Sequence, residues 1–112
     1  MADNPFDLTG RVALVTGGNS GIGLGIAVGL AKAGCDVCIW GTNETKNADA
    51  LANLKETGAN VSAIRCDVSD ADAVEKAFAR TLDTHGRVDG CFANAGVGGR
   101  GVPFDQFTEE EW

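Results

Sequence analysis

The stretch with the clearest chemistry is Thr16-Gly17-Gly18-Asn19-Ser20-Gly21-Ile22-Gly23, directly after the apolar run Val12-Ala13-Leu14-Val15. The pattern predicts a strand that enters a glycine turn, and a helix that opens from the turn. At a helix start the free N–H groups and the dipole favour negative charge. Such a turn is a site for an anion, usually a dinucleotide pyrophosphate. Each glycine has its own task. Gly17 permits the sharp turn off the strand. Gly21 lets the backbone approach phosphate oxygens that a Cβ would strike. Gly23 lets the helix lie close on the sheet. Seven glycines fall between positions 17 and 34. They would weaken the helix for no return if the turn held nothing.

Other residues invite a chemical reading and fail it. Cys35-Asp36-Val37-Cys38 has C-x-x-C spacing, with Cys66 and Cys91 further along. In a strand over 36–40 side chains alternate faces, so positions three apart point to opposite sides. The cysteines are therefore read as small apolar fillers of buried strands, and no metal site is expected. His85 is the one histidine of the sequence. It is expected at the end of a helix, as an exposed cation that suits the dipole, with no catalytic role. Gly96-Val97-Gly98-Gly99-Arg100-Gly101 spells G-x-G-x-x-G. Val102-Pro103 follows and no helix opens there, so it is read as a mobile loop bordering a substrate cleft. No Lys-Ser/Thr follows the first glycine cluster, which argues against a P-loop. A phosphoacceptor domain would need an acidic pair where Thr16-Gly17-Gly18 stands.

The elements that must position the glycine turn alternate between two periodicities. Strand-like runs at 11–16, 36–40, 61–66 and 88–93 are separated by helical patterns at 21–33, 44–57 and from Ser69 to Gly86. This alternation predicts βαβ units and a parallel sheet. The first helix carries Ile22, Ile26, Ala27, Leu30 and Ala31 at helical spacing. The second carries Ala48, Leu51 and Leu54. The third is expected to bury Val74, Ala77, Phe78 and Leu82, with Ser69 as its cap and Asp72 completing an approximate capping box. Gly34, Gly58 and Gly86 are the stops.

The chain has 112 residues, with 44% hydrophobic and 22% charged residues and a net charge of −7. That length forms one domain with a real core. The acidic balance argues against nucleic acid and anionic membrane surfaces as partners. No apolar run approaches the roughly 20 residues that span a bilayer. The N-terminus Met1-Ala2-Asp3-Asn4-Pro5 lacks the pattern of a signal peptide, so a cytoplasmic location is expected.

Three motifs together give a family resemblance. Thr16-Gly17-Gly18-Asn19-Ser20-Gly21-Ile22-Gly23 resembles the T-G-x-x-x-G-[IL]-G motif of the short-chain dehydrogenase/reductase family. Asp67-Val68 resembles its D-V pair, and Asn94-Ala95-Gly96 its N-A-G motif, with Ala93 where a first Asn often stands. They fall in order at three successive strand ends, and the resemblance covers essentially all 112 residues. It implies the N-terminal part of a Rossmann-type, doubly wound parallel α/β sheet with strand order 3-2-1-4. It implies an NAD(P)-dependent oxidoreductase that moves hydride between nicotinamide and an alcohol or carbonyl, in a homo-oligomer (dimer or tetramer). Gly17, Asn19, Ser20, Gly21, Ile22 and Gly23 then hold the pyrophosphate. Asp67 accepts from the adenine amino group, and the Val68 amide supports the ring. Asn94 steadies the centre of the sheet, and Asn94, Ala95 and Gly96 run beside the ribose.

Cofactor choice turns on the end of the second strand, Trp40-Gly41-Thr42-Asn43. An acid about 20 residues past the glycine turn holds both ribose hydroxyls in NAD enzymes. Gly41 stands at that place, so the carboxylate that would repel a 2′-phosphate is missing. NADP enzymes of the family often carry Arg at the position of Thr42, or a basic residue at that of Ser20. Neither is present, and no cation is expected nearby. The hydroxyls of Thr42 and Ser20 leave a slight lean to NADP over NAD. Glu44 is expected in the first turn of the second helix.

The family's chemistry uses a Tyr-x-x-x-Lys pair with a Ser, and this sequence contains no Tyr. No catalytic residue is therefore assigned within it. A non-catalytic NAD(P)-binding sensor would use the same motifs. Thr108-Glu109-Glu110-Glu111 is a capping box followed by Trp112. A helix needs about 12 residues to hold alone, so the sequence reads as the front of a longer protein. The fourth strand would then be an unpaired edge in residues 1–112 alone, which are expected to be inactive and to associate.

Overall fold

The structure is a computed structural model that describes residues 6–95. Along the chain run β1 (Val12–Thr16), α1 (Gly21–Lys32), β2 (Asp36–Gly41), α2 (Glu44–Lys55), β3 (Val61–Arg65), α3 (Ala71–His85) and β4 (Gly90–Ala93). The strands form one sheet in the order β3-β2-β1-β4. Every pairing is parallel, with Thr16 level with Trp40 and with Ala93, and Gly41 level with Arg65. This is the order that the strand–helix alternation and the resemblance predict. The expected helix at Thr108 and the loop after Ala95 lie outside the described residues.

Parallel strands covered on both faces read as continuous apolar runs. All five residues of β1 are buried, as are positions 37–41 of β2. Alternation then splits the core in two. Ala13, Val15, Val37 and Ile39 pack with Ala27, Ala31, Ala50 and Leu54 from α1 and α2. Leu14, Cys38, Trp40 and Ile64 pack with Ala77 of α3. Cys35 lies in the first cluster and Cys38 in the second, on opposite faces as the spacing requires. Burial pushes the thiols of Cys35 and Cys66 up, which keeps them neutral. Cys91 departs from the filler reading and is exposed. Among the described residues its strand pairs with β1 alone.

Several helix faces differ from the sequence pattern. Ile22 is 78% exposed, and the inner face of α1 is Gly23, Ala27 and Ala31. Small residues let this helix sit low on the sheet, so the large ones flank the contact. In α2 the inner residues are Asn47, Ala50 and Leu54, while Ala48 is exposed and Leu51 is half-buried. A polar residue takes the inner place because its amide finds partners there. In α3 Ala77 and Thr81 are buried, and Phe78 and Leu82 are exposed. Thr81 satisfies its hydroxyl by donating to the Ala77 carbonyl at 2.8 Å and accepting from Trp40 Nε1 at 3.1 Å. The cap of α3 is Asp70, whose Oδ1 accepts from the N–H groups of Asp72 and Ala73. Ser69 donates instead to Asp67, at 2.6 Å.

His85 is not the exposed cation expected. It is half-buried, with Nε2 at 2.7 Å from Ser62 Oγ and Nδ1 buried without a partner. Burial pushes its pKa below the ordinary 6.5, opposed in part by the charge of Asp36. The folded state thus binds a proton less readily than the unfolded chain. Stability from this group is full above the unfolded value and falls as pH drops below it. The carboxyl of Asp89 behaves differently. Hydrogen bonds from Arg87 and from the Val12 N–H hold it below the ordinary 3.8, so its loss comes only in stronger acid. Urea unfolding should show a fall in midpoint between pH 7.5 and 5 that His85→Gln abolishes, with the acid limb unchanged. An equal pH slope in the variant would refute this. Thr81→Val should cost about 1–3 kcal/mol, because it strands the buried Trp40 N–H. Equal unfolding midpoints in wild type and variant would show that bond to be worthless.

Candidate functional site

The site is built at the carboxyl ends of β1, β2, β3 and β4. β1 ends at Thr16, and Gly17 turns the chain with φ +65, a left-handed value that favours glycine. Its N–H donates to the Trp40 carbonyl at 2.8 Å, so the turn starts tied to β2. The other side of the turn meets β4. A Cβ on Gly17 would lie 3.0 Å from Asn94 Nδ2 and 3.1 Å from Ala95 Cα. A Cβ on Gly23 would overlap the Gly17 carbonyl oxygen and come 2.6 Å from Asn94 Nδ2. The close approach expected of Gly23 is therefore to the turn and to Asn94 at once.

Thr16 joins these parts. Its Oγ1 accepts from the N–H groups of Asn94 and Ala95, both at 3.0 Å. It donates to the Phe92 carbonyl at 3.4 Å. Asn94 Nδ2 donates to the Gly17 carbonyl at 3.3 Å. In the sequence Thr16 stands out only as the last residue of a strand and the first letter of a motif. Its signal was a hydroxyl residue closing an otherwise apolar strand.

The start of α1 is open toward solvent. Ser20 is the N-cap and makes no side-chain capping bond; its hydroxyl instead donates to Asn19 Oδ1 at 3.4 Å. The first turn carries no acid. The other two helices among the described residues are closed, by Asn43 with Glu44 behind it and by Asp70 with Asp72. Glu44 is thus where the sequence placed it. Gly21 has φ +58, and the direction of its absent Cβ points into open space. Unpaired N–H groups and the positive end of the dipole face that space.

At the end of β2 the chain does more than omit a carboxylate. A Cβ on Gly41 would overlap Asn19 Nδ2 and lie 2.5 Å from Asn47 Oδ1. Asn19 Nδ2 donates to Asn47 Oδ1 at 2.9 Å, and Asn47 Nδ2 donates to the Gly41 carbonyl at 3.0 Å. The asparagine pair occupies the place of a side chain at 41. Asn47 is buried, and only its polarity within a helical stripe could have flagged it. Thr42 is exposed, and its carbonyl accepts from Arg65 Nε at 3.2 Å. A cation therefore stands at this turn, contrary to the expectation of none. It comes from β3, which the sequence distance between 42 and 65 concealed.

Asp67 and Val68 follow β3. The Asp67 carboxylate accepts from Ser69 Oγ and Ser69 N–H, which lowers its pKa from the ordinary carboxylate value. Val68 is 41% exposed, an apolar surface beside an ionised acid. Ile22 stands on the outer side of the first turn of α1, and Gly96 lies outside the described residues.

A parallel sheet with helices on both faces, and a glycine turn feeding an open helix start at the end of its central strand, defines the Rossmann-type doubly wound class. The short chain dehydrogenase family model matches residues 11–112, and the chain belongs to that family. It is 35% identical over 102 residues to a 3beta-hydroxysteroid dehydrogenase of Mediterraneibacter gnavus, covering 91% of this chain and 37% of that protein. It is 36% identical over 108 residues to a probable NADP-dependent mannitol dehydrogenase of Yarrowia lipolytica, covering 96% and 39%. Among solved structures, NAD+-bound xylitol dehydrogenase superposes with a TM-score of 0.81 at 30% identity, over 93% of this chain and 40% of that one. A putative short-chain alcohol dehydrogenase from Sinorhizobium meliloti gives 0.80 at 36% identity, over 96% and 42%. The chain spans about two-fifths of the length of these curated relatives.

Two glycines of α1 should respond in opposite directions to alanine. Helix propensity alone favours alanine by up to about 1 kcal/mol. At Gly25 a Cβ meets nothing within 4 Å, so Gly25→Ala should stabilise. At Gly23 the overlap with the Gly17 carbonyl should win, and Gly23→Ala should cost about 1–3 kcal/mol. Urea unfolding of both variants gives the comparison. A stabilised Gly23→Ala would mean that the turn yields freely.

Proposed function

We propose that the protein containing this chain is a nicotinamide-dependent oxidoreductase acting on an alcohol or carbonyl, and that this chain supplies its cofactor site. The observation that supports this most is the start of α1, acid-free, without a side-chain cap, and held against Asn94 and Ala95 through Thr16. A pyrophosphate fits there, because Gly21 leaves the space before the helix clear. Gly17, Asn19, Ser20, Gly21, Ile22 and Gly23 form the pyrophosphate cradle. Asp67 keeps its second carboxylate oxygen, which has no hydrogen-bond partner among the described residues, for an adenine amino group, and Val68 offers an apolar surface to the ring. Asn94, Ala95 and Gly96 are the residues assigned to the cofactor ribose. The nicotinamide supplies the hydride chemistry when bound; these residues bind it and orient it. NADP is the preferred cofactor, since residue 41 carries no carboxylate. Residues 1–112 are the N-terminal portion of a single dinucleotide-binding domain, in a cytoplasmic homo-oligomer. No helix among the described residues is long and apolar enough to cross a membrane.

Calorimetric titration of the full-length protein with NADP+ and NAD+ tests the site. Gly21→Ala should lose cofactor affinity, because its Cβ enters the phosphate path and its left-handed φ is strained. Gly25→Ala on the same helix should keep it. Undiminished affinity in Gly21→Ala would place the cofactor elsewhere. Full-length protein that binds cofactor yet turns over no alcohol or ketone in a broad panel would refute the enzymatic part.

A further inference from the structure

We propose that Arg65, from the end of β3, is the residue that reads the 2′-phosphate of NADP. The inference rests on the cofactor site proposed above. Gly41 and Arg65 are level in the parallel pairing of β2 and β3, so the arginine starts one strand away from the end of β2. Its Nε donates to the Thr42 carbonyl at 3.2 Å, which ties the guanidinium to the β2–α2 turn. Among the described residues no other hydrogen bond engages the guanidinium, and the ion pairs are those of Arg11 and Arg87 with Asp89. Its two Nη groups are therefore free to donate, and a planar guanidinium fork suits a phosphate better than an ammonium does.

The surroundings make this cation decisive. The Asn19–Asn47 pair fills the place of a side chain at 41, so no carboxylate there competes for the ribose hydroxyls or repels a phosphate. Thr42 and Ser20 are exposed and offer neutral hydroxyls. Glu44 is an opposing charge in the first turn of α2. The chain as a whole carries a net charge of −7. A dianionic phosphomonoester would be repelled at this edge without a local cation; Lys46 stands in the first turn of α2, and Arg65 is the cation whose guanidinium the fold ties to the turn by a hydrogen bond. A hydrogen bond to a charged group contributes about 1.5–3 kcal/mol, or roughly ten- to a hundredfold in affinity.

The test is titration of the full-length protein with NADP+ and with NAD+, in wild type, Arg65→Gln and Arg65→Lys. Wild type should prefer NADP+. Arg65→Gln should weaken NADP+ roughly ten- to a hundredfold and leave NAD+ within about twofold. Arg65→Lys should fall between, since it keeps the charge and loses the fork. Raising salt should weaken NADP+ more than NAD+ in wild type, and the difference should shrink in Arg65→Gln. Equal loss of both cofactors, or no loss of either, would overturn the role of Arg65 while leaving the cofactor site standing. Wild type that binds neither cofactor would overturn both.

Discussion

One hydroxyl holds the working end of this sheet together. Thr16 Oγ1 receives two backbone N–H groups, from Asn94 and Ala95, just where β1 and β4 diverge. Past the last ladder bond the Asn94 N–H also reaches the Phe92 carbonyl at 2.9 Å, while the Ala95 N–H relies on Thr16 where it would otherwise need water or another side chain. Supplying that acceptor from the central strand fixes the 94–95 segment against the glycine turn. Gly17 and Gly23 then let turn, helix and segment close to contact distance, and Asn94 locks the contact through the Gly17 carbonyl. A side chain at either glycine would force these three pieces apart. The open helix start depends on that closure, because α1 is aimed by the turn from which it springs.

A second constraint governs the β2 end. Asn47 spends an inner helix position on a polar side chain, and its amide bonds to the Gly41 carbonyl and to Asn19. A buried amide left unpaired would be costly, so the pair is useful only complete. When complete it joins α2, β2 and the glycine turn. It also occupies the direction in which a side chain at 41 would project. The absence of a side chain at 41 and the local packing are thus two consequences of one contact.

Helix faces follow the same logic of distance. α1 is built from glycine and alanine on its inner side because it crosses the sheet closely at the turn. α3 buries Thr81 because Trp40 needs an acceptor inside the core. Bulky apolar residues such as Ile22, Phe78 and Leu82 are left outside both contacts. Hydrophobicity alone does not choose the buried face when a backbone approach or a buried N–H must be met first.

The sequence by itself determined the order of strands and helices, the parallel sheet and the position of the glycine turn. Those follow from periodicity, and from glycine spacing that few other arrangements tolerate. The three strand-end motifs were legible because each is a short run of neighbouring residues. What only the tertiary structure decided involves residues distant in the chain. Thr16 with Asn94, Asn19 with Asn47 and Arg65 with Thr42 are separated by 78, 28 and 23 positions. The inward turn of Asn47 and the burial of His85 against Ser62 belong with them. A polar side chain at helical spacing reads as solvated until its partner is known. The partner is set by strand register and helix height on the sheet, and neither is written in local pattern.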